Sequence, residues 1–198
     1  MRYLVIGTLR QWHWISSALC LAGMLLFAVT GITLNHAGVI ESRPVVSSTN
    51  TQLPDELLAL LPELASGGAP PAALRNWLRT ELDVRFNPEQ AEWSDDELYL
   101  GLPRPGGDAW LTLDLNTGEL FYESTDRGWV AYLNDLHKGR HTGTAWSWFI
   151  DLFAGVCVVF SLTGLVLLQR QARSRPSTWP ITGLGLLIPV LIALLLIH

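Results

Sequence analysis

The residues of this sequence with the most chemistry to offer are its histidines. His137 and His141 lie just before an apolar run at residues 146–168, while His13 opens and His36 closes another at residues 12–34. Imidazole is the commonest metal ligand near neutral pH. A haem iron can take one axial histidine from each of two helices, with the porphyrin packed among apolar side chains. His36, His137 and His141 are therefore expected at one membrane face, where His36 with His137, or with His141 in its place, would ligate the iron of a haem b. An i, i+4 pair faces one way on a helix, but Gly139 interrupts this one. The second histidine then has a propionate or substrate contact as its alternative role. Lys138 and Arg140 are candidate propionate partners. Two other readings stand beside haem: a divalent-metal site on the same imidazoles, and plain anchoring of helix ends at the interface.

His13 lies about 35 Å from His36 along a helix, so the two cannot share a site within one chain. No second histidine lies near Arg170. A two-histidine site around His13 would thus need another chain. His198 is terminal and has no expected role. Asp151 falls about one turn inside the second apolar run, where a carboxylate is costly and calls for a partner. It would bond an outer histidine and fix its tautomer, or else Ser147 or interfacial water.

Three long apolar elements must position these groups. The runs at 12–34 and 146–168 are each about 23 residues, enough to cross a bilayer core at about 1.5 Å per residue. A third, at 181–197, is about 17 residues and near the lower limit. The first exceeds the roughly 7–15 apolar residues of a leader peptide and reads as a retained span, with cleavage near Ala37 as the competing reading. Charged residues make up only 16% of the chain, and there are 9 tryptophans. Both features suit a membrane protein with interfacial aromatic belts. Trp12, Trp14 and Trp179 fall in one belt, and Trp146 and Trp148 in the other.

Between the first two spans the composition changes. Residues 54–64 and 71–82 read as helices, joined by a loop at 66–71. Short strands are expected at 84–86, 97–102, 109–115 and 119–123, with turns at Pro105-Gly106-Gly107-Asp108 and Asn116-Thr117-Gly118. Residues 129–136 read as a helix running down to the membrane. The fold class is an α-helical membrane protein with three transmembrane helices and an extracytoplasmic α+β domain between helices 1 and 2. Its parts are residues 1–36 (N-terminal segment and first span), 37–128 (α+β domain), 129–168 (juxtamembrane helix and second span), 169–180 (basic loop) and 181–198 (third span).

Charge sets the expected orientation. Arg2 and Arg10 precede the first span, and Arg170, Arg173 and Arg175 lie between the second and third, with no acid in either segment. Residues 37–144 carry about nine more acids than bases. The positive-inside rule then places the N-terminus and the basic loop in the cytoplasm and residues 37–144 outside it, in a Gram-negative periplasm.

Cys20 and Cys157 each fall inside an apolar run and read as small packing residues. Neither a phosphate loop nor a nucleophile motif is present, and no basic patch suggests nucleic acid. Val29-Thr30-Gly31-Ile32, Leu162-Thr163-Gly164-Leu165 and Ile181-Thr182-Gly183-Leu184 are near-copies. Small residues of this kind let membrane helices approach closely. They are read as packing sites, or as contacts beside a cofactor.

Four of these pieces, in this order, resemble the PepSY-associated transmembrane family. They are Arg10-x-x-His13 opening a span closed by Thr30-Gly31; Asp114-Leu115-Asn116-Thr117-Gly118-Glu119; Leu136-His137-Lys138-Gly139; and Leu162-Thr163-Gly164-Leu165. The resemblance implies a PepSY-like domain and a place in the bacterial inner membrane. It also implies kinship with haem-containing siderophore-iron reductases, in which His13, His36, His137 and His141 would carry haem ligation. Electrons would then pass to a periplasmic acceptor such as a ferric siderophore, a metal or a redox protein. With three spans and no flavin or nicotinamide motif, the chain would work with a second membrane or periplasmic redox protein, or as a homodimer. The competing expectation is a non-enzymatic module that binds a partner protein.

Overall fold

The computed structural model describes residues 7–40, 43–60 and 69–197. Three helices in it are long and apolar enough to cross a membrane. They are α1 (Leu9–Asn35), α5 (Gly143–Gln171) and α6 (Thr178–Leu196). Between α1 and α5 come β1 (Val45–Gln52), α2 (Asp55–Leu58), α3 (Ala72–Leu82), β2 (Ala91–Trp93), β3 (Glu97–Gly101), β4 (Gly107–Asp114), β5 (Glu119–Asp126) and α4 (Gly128–Lys138). Two compact units emerge. One joins α1 as far as Phe27 to the chain from Trp148 onward, and the other runs from Ala28 to Ser147.

In the second unit the strands form one antiparallel sheet, ordered β1-β5-β4-β3-β2. Period-two alternation directs Leu98 and Leu100 of β3, and Leu111 and Leu113 of β4, to one face. There they pack with Leu120, Leu53, Val84, and Leu74 and Leu78 of α3. Fully burying a leucine contributes about 1.5–3 kcal/mol, so this cluster is what holds the domain together. The β4–β5 connection shows its turn chemistry plainly. Asp114 Oδ1 accepts from the N–H groups of Asn116 and Thr117, both at 2.8 Å. Gly118 follows at φ 73°, a left-handed conformation that glycine adopts without strain.

Three sequence expectations change. Residues 84–86 are not a strand. Asp83 caps α3 at φ 50°, and the Val84 N–H donates back to the Leu78 carbonyl at 3.1 Å. The apolar Val84 therefore packs on the helix it follows, as residues after a left-handed cap commonly do. Strands β1 and β2 were not anticipated. The side chains of β1 are exposed on both faces except at Thr51, so no apolar alternation marks it; pairing with β5 along its whole length defines it. The helix expected at 54–64 is seen as α2, Asp55–Leu58, and residues 61–68 lie outside the described residues, including the start of the 66–71 loop.

Helix α4 connects the sheet to the end of α1. Asp135 is buried on it and accepts from the Gly106 N–H at 2.9 Å and from Arg127 Nη2 at 3.2 Å. On another side of α4, Asn134 Oδ1 accepts from the Thr33 hydroxyl of α1 at 2.7 Å. Trp146 Nε1 donates to the Leu136 carbonyl at 2.9 Å, which ties the start of α5 to the end of α4.

Candidate functional site

Two of the Thr-Gly copies carry a histidine from a neighbouring helix. Within the first unit, His13 Nδ1 of α1 lies 3.0 Å from Thr163 Oγ1 of α5. The Thr163 hydroxyl has one proton, and it is directed to its own helix, with the Val159 carbonyl at 2.7 Å and that of Phe160 at 3.0 Å. Thr163 therefore accepts from His13, whose Nδ1 carries the proton. Nε2 of His13 is left with its lone pair. The ring stacks on Phe160 at a centroid distance of 4.9 Å, and a Cβ at Gly164 would come within 3.1 Å of its Cε1.

Within the second unit the arrangement recurs. His137 Nδ1 of α4 lies 2.7 Å from Thr30 Oγ1 of α1, and its Cε1 would be 3.6 Å from a Cβ at Gly31. Thr30 itself is buried. The third copy differs: Thr182 Oγ1 bonds back to Thr178 at 2.9 Å, and a Cβ at Gly183 would meet nothing within 4 Å. The Thr-Gly pairs at residues 30–31 and 163–164 are thus seats for imidazoles, beyond letting helices approach.

The other candidates are placed differently. His36 is exposed, and its Nδ1–H donates to the Ile32 carbonyl of its own helix at 2.9 Å. A carbonyl can only accept, so Nδ1 carries a proton, and the neutral ring has its lone pair on Nε2. His141 is exposed at φ 56°, and its Nε2 accepts from Arg140 Nε at 3.2 Å. Lys138 and Arg140 are exposed at the end of α4 and just beyond it. Asp151 is exposed and lines an apolar groove with Ser16, Leu19 and Gly155, while Ser147 donates to the Gly143 carbonyl instead. His198 lies outside the described residues.

His137 meets α1 at Thr30, whereas His36 stands six residues further along that helix, about 9 Å on at 1.5 Å per residue. Among the described residues, no three His, Cys, Asp or Glu side chains gather where they could hold one metal ion. Sequence reasoning missed Asn134 and Asp135 as positioning groups. It singled out Thr30 and Thr163 through the repeated Thr-Gly spacing, without pairing either with its histidine.

This order of parts along the chain has a counterpart. The profile of the PepSY_TM-like family matches residues 4–198. The chain belongs to the PepSY_TM-like family. No curated protein and no solved structure matches it. As a PepSY_TM-like protein it is a membrane protein with an antiparallel α+β domain set between its first two long apolar helices. The Asp114–Glu119 turn belongs to that domain, and His13, His36 and His137 to helices that precede or follow it in the chain.

Proposed function

We propose that this PepSY_TM-like protein is a haem-b-binding electron-transfer subunit of the bacterial inner membrane, a component of a metal or ferric-siderophore reductase. The observation that carries the reading is the tautomer of His13 and His36. Each has its Nδ1–H committed to an oxygen, so in the neutral ring Nε2 holds the lone pair that an iron would take. Metal-bound imidazoles are typically oriented by such a second hydrogen bond. His137 is engaged through its Nδ1 by Thr30.

The donor chemistry therefore fits a haem. His137 or His36 would supply one axial nitrogen at one end of α1, and His13 would supply one at the other. His13, about 35 Å from His36 along a helix, would take its second axial ligand from a second copy or a partner redox protein. When bound, the haem would supply one-electron chemistry. The chain itself orients the imidazoles, packs Phe160 beside one of them, and offers Lys138 and Arg140 to propionates. His141, with Nε2 engaged by Arg140, is the weaker ligand candidate.

The charge distribution supports a cytoplasmic N-terminus and a periplasmic α+β domain. Electrons would then leave toward a periplasmic acceptor. The test is an absorption spectrum of the full-length protein expressed with haem supplied. A Soret band, with α and β bands sharpening on reduction, is expected, and His137→Ala or His13→Ala should reduce haem content. A colourless protein with no haem after reconstitution would overturn the reading. It would leave the partner-binding module, for which the eight-residue exposed edge strand β1 is the available surface.

A further inference from the structure

In the first unit, α1 turns a stripe of unusual composition toward α5: His13, Ser16, Cys20, Gly23 and Phe27. Its neighbours on α5 include Thr163, Phe160, Cys157 and Phe153. Cys20 and Cys157 fall close to the midpoints of Leu9–Asn35 and Gly143–Gln171. Cys20 is fully buried, and its Sγ lies 3.5 Å from Met24 Sδ. The contacts of His13 with Thr163 and of Gly23 with Phe153 bracket this level of the two helices and place Cys157 opposite Cys20. Both thiols are free. The two helices are held close beside them, since a Cβ at Gly23 would fall against the Phe153 ring.

Three sulfur-bearing side chains from two helices therefore fall at one level of the apolar pair. We propose that Cys20, Cys157 and Met24 form a binding site for one copper(I) ion, a site separate from the histidines. Thiolate and thioether ligands select soft ions, and copper(I) above the hard or borderline divalent metals. Charge points the same way. Binding one monovalent ion releases one proton from one thiol; the thiolate, the second thiol and the thioether then surround a complex with no net charge. A divalent ion at the same place would need two thiolates to reach neutrality, or leave a net charge that an apolar interior disfavours. Copper stays in its +1 state throughout, and no electron is transferred. The nearest imidazole on α1, that of His13, lies about two turns away and has its Nδ1 bonded to Thr163.

The experiment uses the full-length protein in detergent, titrated anaerobically with copper(I) against the chromogenic chelator bicinchoninate. One copper per chain should be withheld from the chelator, with an X-ray absorption first shell of sulfur alone. Cys20→Ser and Cys157→Ser should each weaken retention by at least about tenfold, and Met24→Leu by a smaller factor, while His13→Ala and His137→Ala leave it unchanged. Because a cysteine variant can fail to fold, the unaltered chain gives a second measurement: copper(I) should slow alkylation of the partly exposed Cys157 thiol. A first shell containing nitrogen or oxygen, retention unchanged in Cys157→Ser, or alkylation unaffected by copper would each overturn the proposal. The haem spectrum is independent of all these readouts.

Discussion

His13 Nδ1 rests 3.0 Å from Thr163 Oγ1, and His137 Nδ1 rests 2.7 Å from Thr30 Oγ1. Each threonine precedes a glycine whose missing side chain leaves room for the imidazole edge. One short sequence pattern has thus been used twice, once in each unit, to hold a histidine from another helix. The threonine hydroxyl satisfies two demands at once. At Thr163 it closes its own proton onto a helical carbonyl, and it accepts the imidazole proton that would otherwise go unpaired in an apolar setting.

Replacing Thr163 by Val keeps the shape and removes the acceptor. A neutral hydrogen bond contributes about 0.5–1.5 kcal/mol net, and leaving its partner unsatisfied costs about 1–3 kcal/mol. Thr163→Val should therefore lower the thermal midpoint in detergent, and Thr163→Ser should restore most of it. Nitrogen NMR of labelled histidine gives the sharper check. The Nδ1–H form of His13 should dominate in the unaltered chain and in Thr163→Ser, and be lost in Thr163→Val. An unchanged tautomer in Thr163→Val would remove the threonine from its assigned role.

The glycines should rank by the space beside them. A Cβ at Gly23 would press on the Phe153 ring, at Gly164 it would stand 3.1 Å from His13 Cε1, and at Gly183 it would meet open space. Overpacking of this kind costs about 1–3 kcal/mol. Gly23→Ala should destabilise most, Gly164→Ala less, and Gly183→Ala not at all. Phe153→Leu added to Gly23→Ala should recover part of the loss. Thermal unfolding of the set tests the order, and equal midpoints for Gly23→Ala and Gly183→Ala would contradict the close packing of α1 on α5.

The long apolar helices were legible because their length and composition alone define them; the sequence runs at 12–34 and 146–168 lie inside α1 and α5. Strands β3, β4 and β5 were legible from alternation and turn residues. Strand β1 was not, because Val45-Val46-Ser47-Ser48-Thr49-Asn50 puts nothing into the core. Its place depends on partners in β5 that lie more than 60 residues away. The candidate site divides in the same way. Individual histidines and Thr-Gly pairs stand out by type, but which histidine meets which threonine is fixed by tertiary packing. Thr30 and His137 are 107 residues apart, and His13 and Thr163 are 150. Cys20 and Cys157, each alone in an apolar run, gave no hint of facing one another.

Asp114 ties pH to the stability of the α+β domain. Its carboxyl is held below its ordinary value, first by the Thr117 N–H, then by that of Asn116, both of which favour the charged form. A carboxyl with a depressed folded pKa contributes stability that is present above its unfolded value. That contribution is lost as pH falls through the folded value. Acid should therefore loosen the β4–β5 turn, and Asp114→Asn should flatten the pH dependence of unfolding below about pH 4. The check is a thermal midpoint measured against pH for both chains. Parallel curves would mean that the turn does not depend on the carboxylate charge.

Asp135 makes the contacts on which the docking of α4 depends. It takes the Gly106 N–H at 2.9 Å and Arg127 Nη2 at 3.2 Å, and its side chain is only 9% exposed. Gly106 sits at φ 72°, and a Cβ there would come within 2.7 Å of the Tyr132 backbone, so sheet and helix touch directly at this point. Removing the carboxylate leaves a buried N–H without its acceptor and takes one partner from the guanidinium, a loss of about 1–3 kcal/mol. Asp135→Asn keeps an oxygen for the N–H and should lose less than Asp135→Ala. Because α4 also carries His137 to Thr30, loosening its attachment to the sheet should reach the histidine as well. Hydrogen exchange of α4 should rise in Asp135→Ala, together with loss of the His137–Thr30 bond seen by nitrogen NMR. If exchange rises while the imidazole signal stays fixed, the seat at Thr30 holds His137 without help from the sheet, and the α+β domain has no mechanical connection to the histidine.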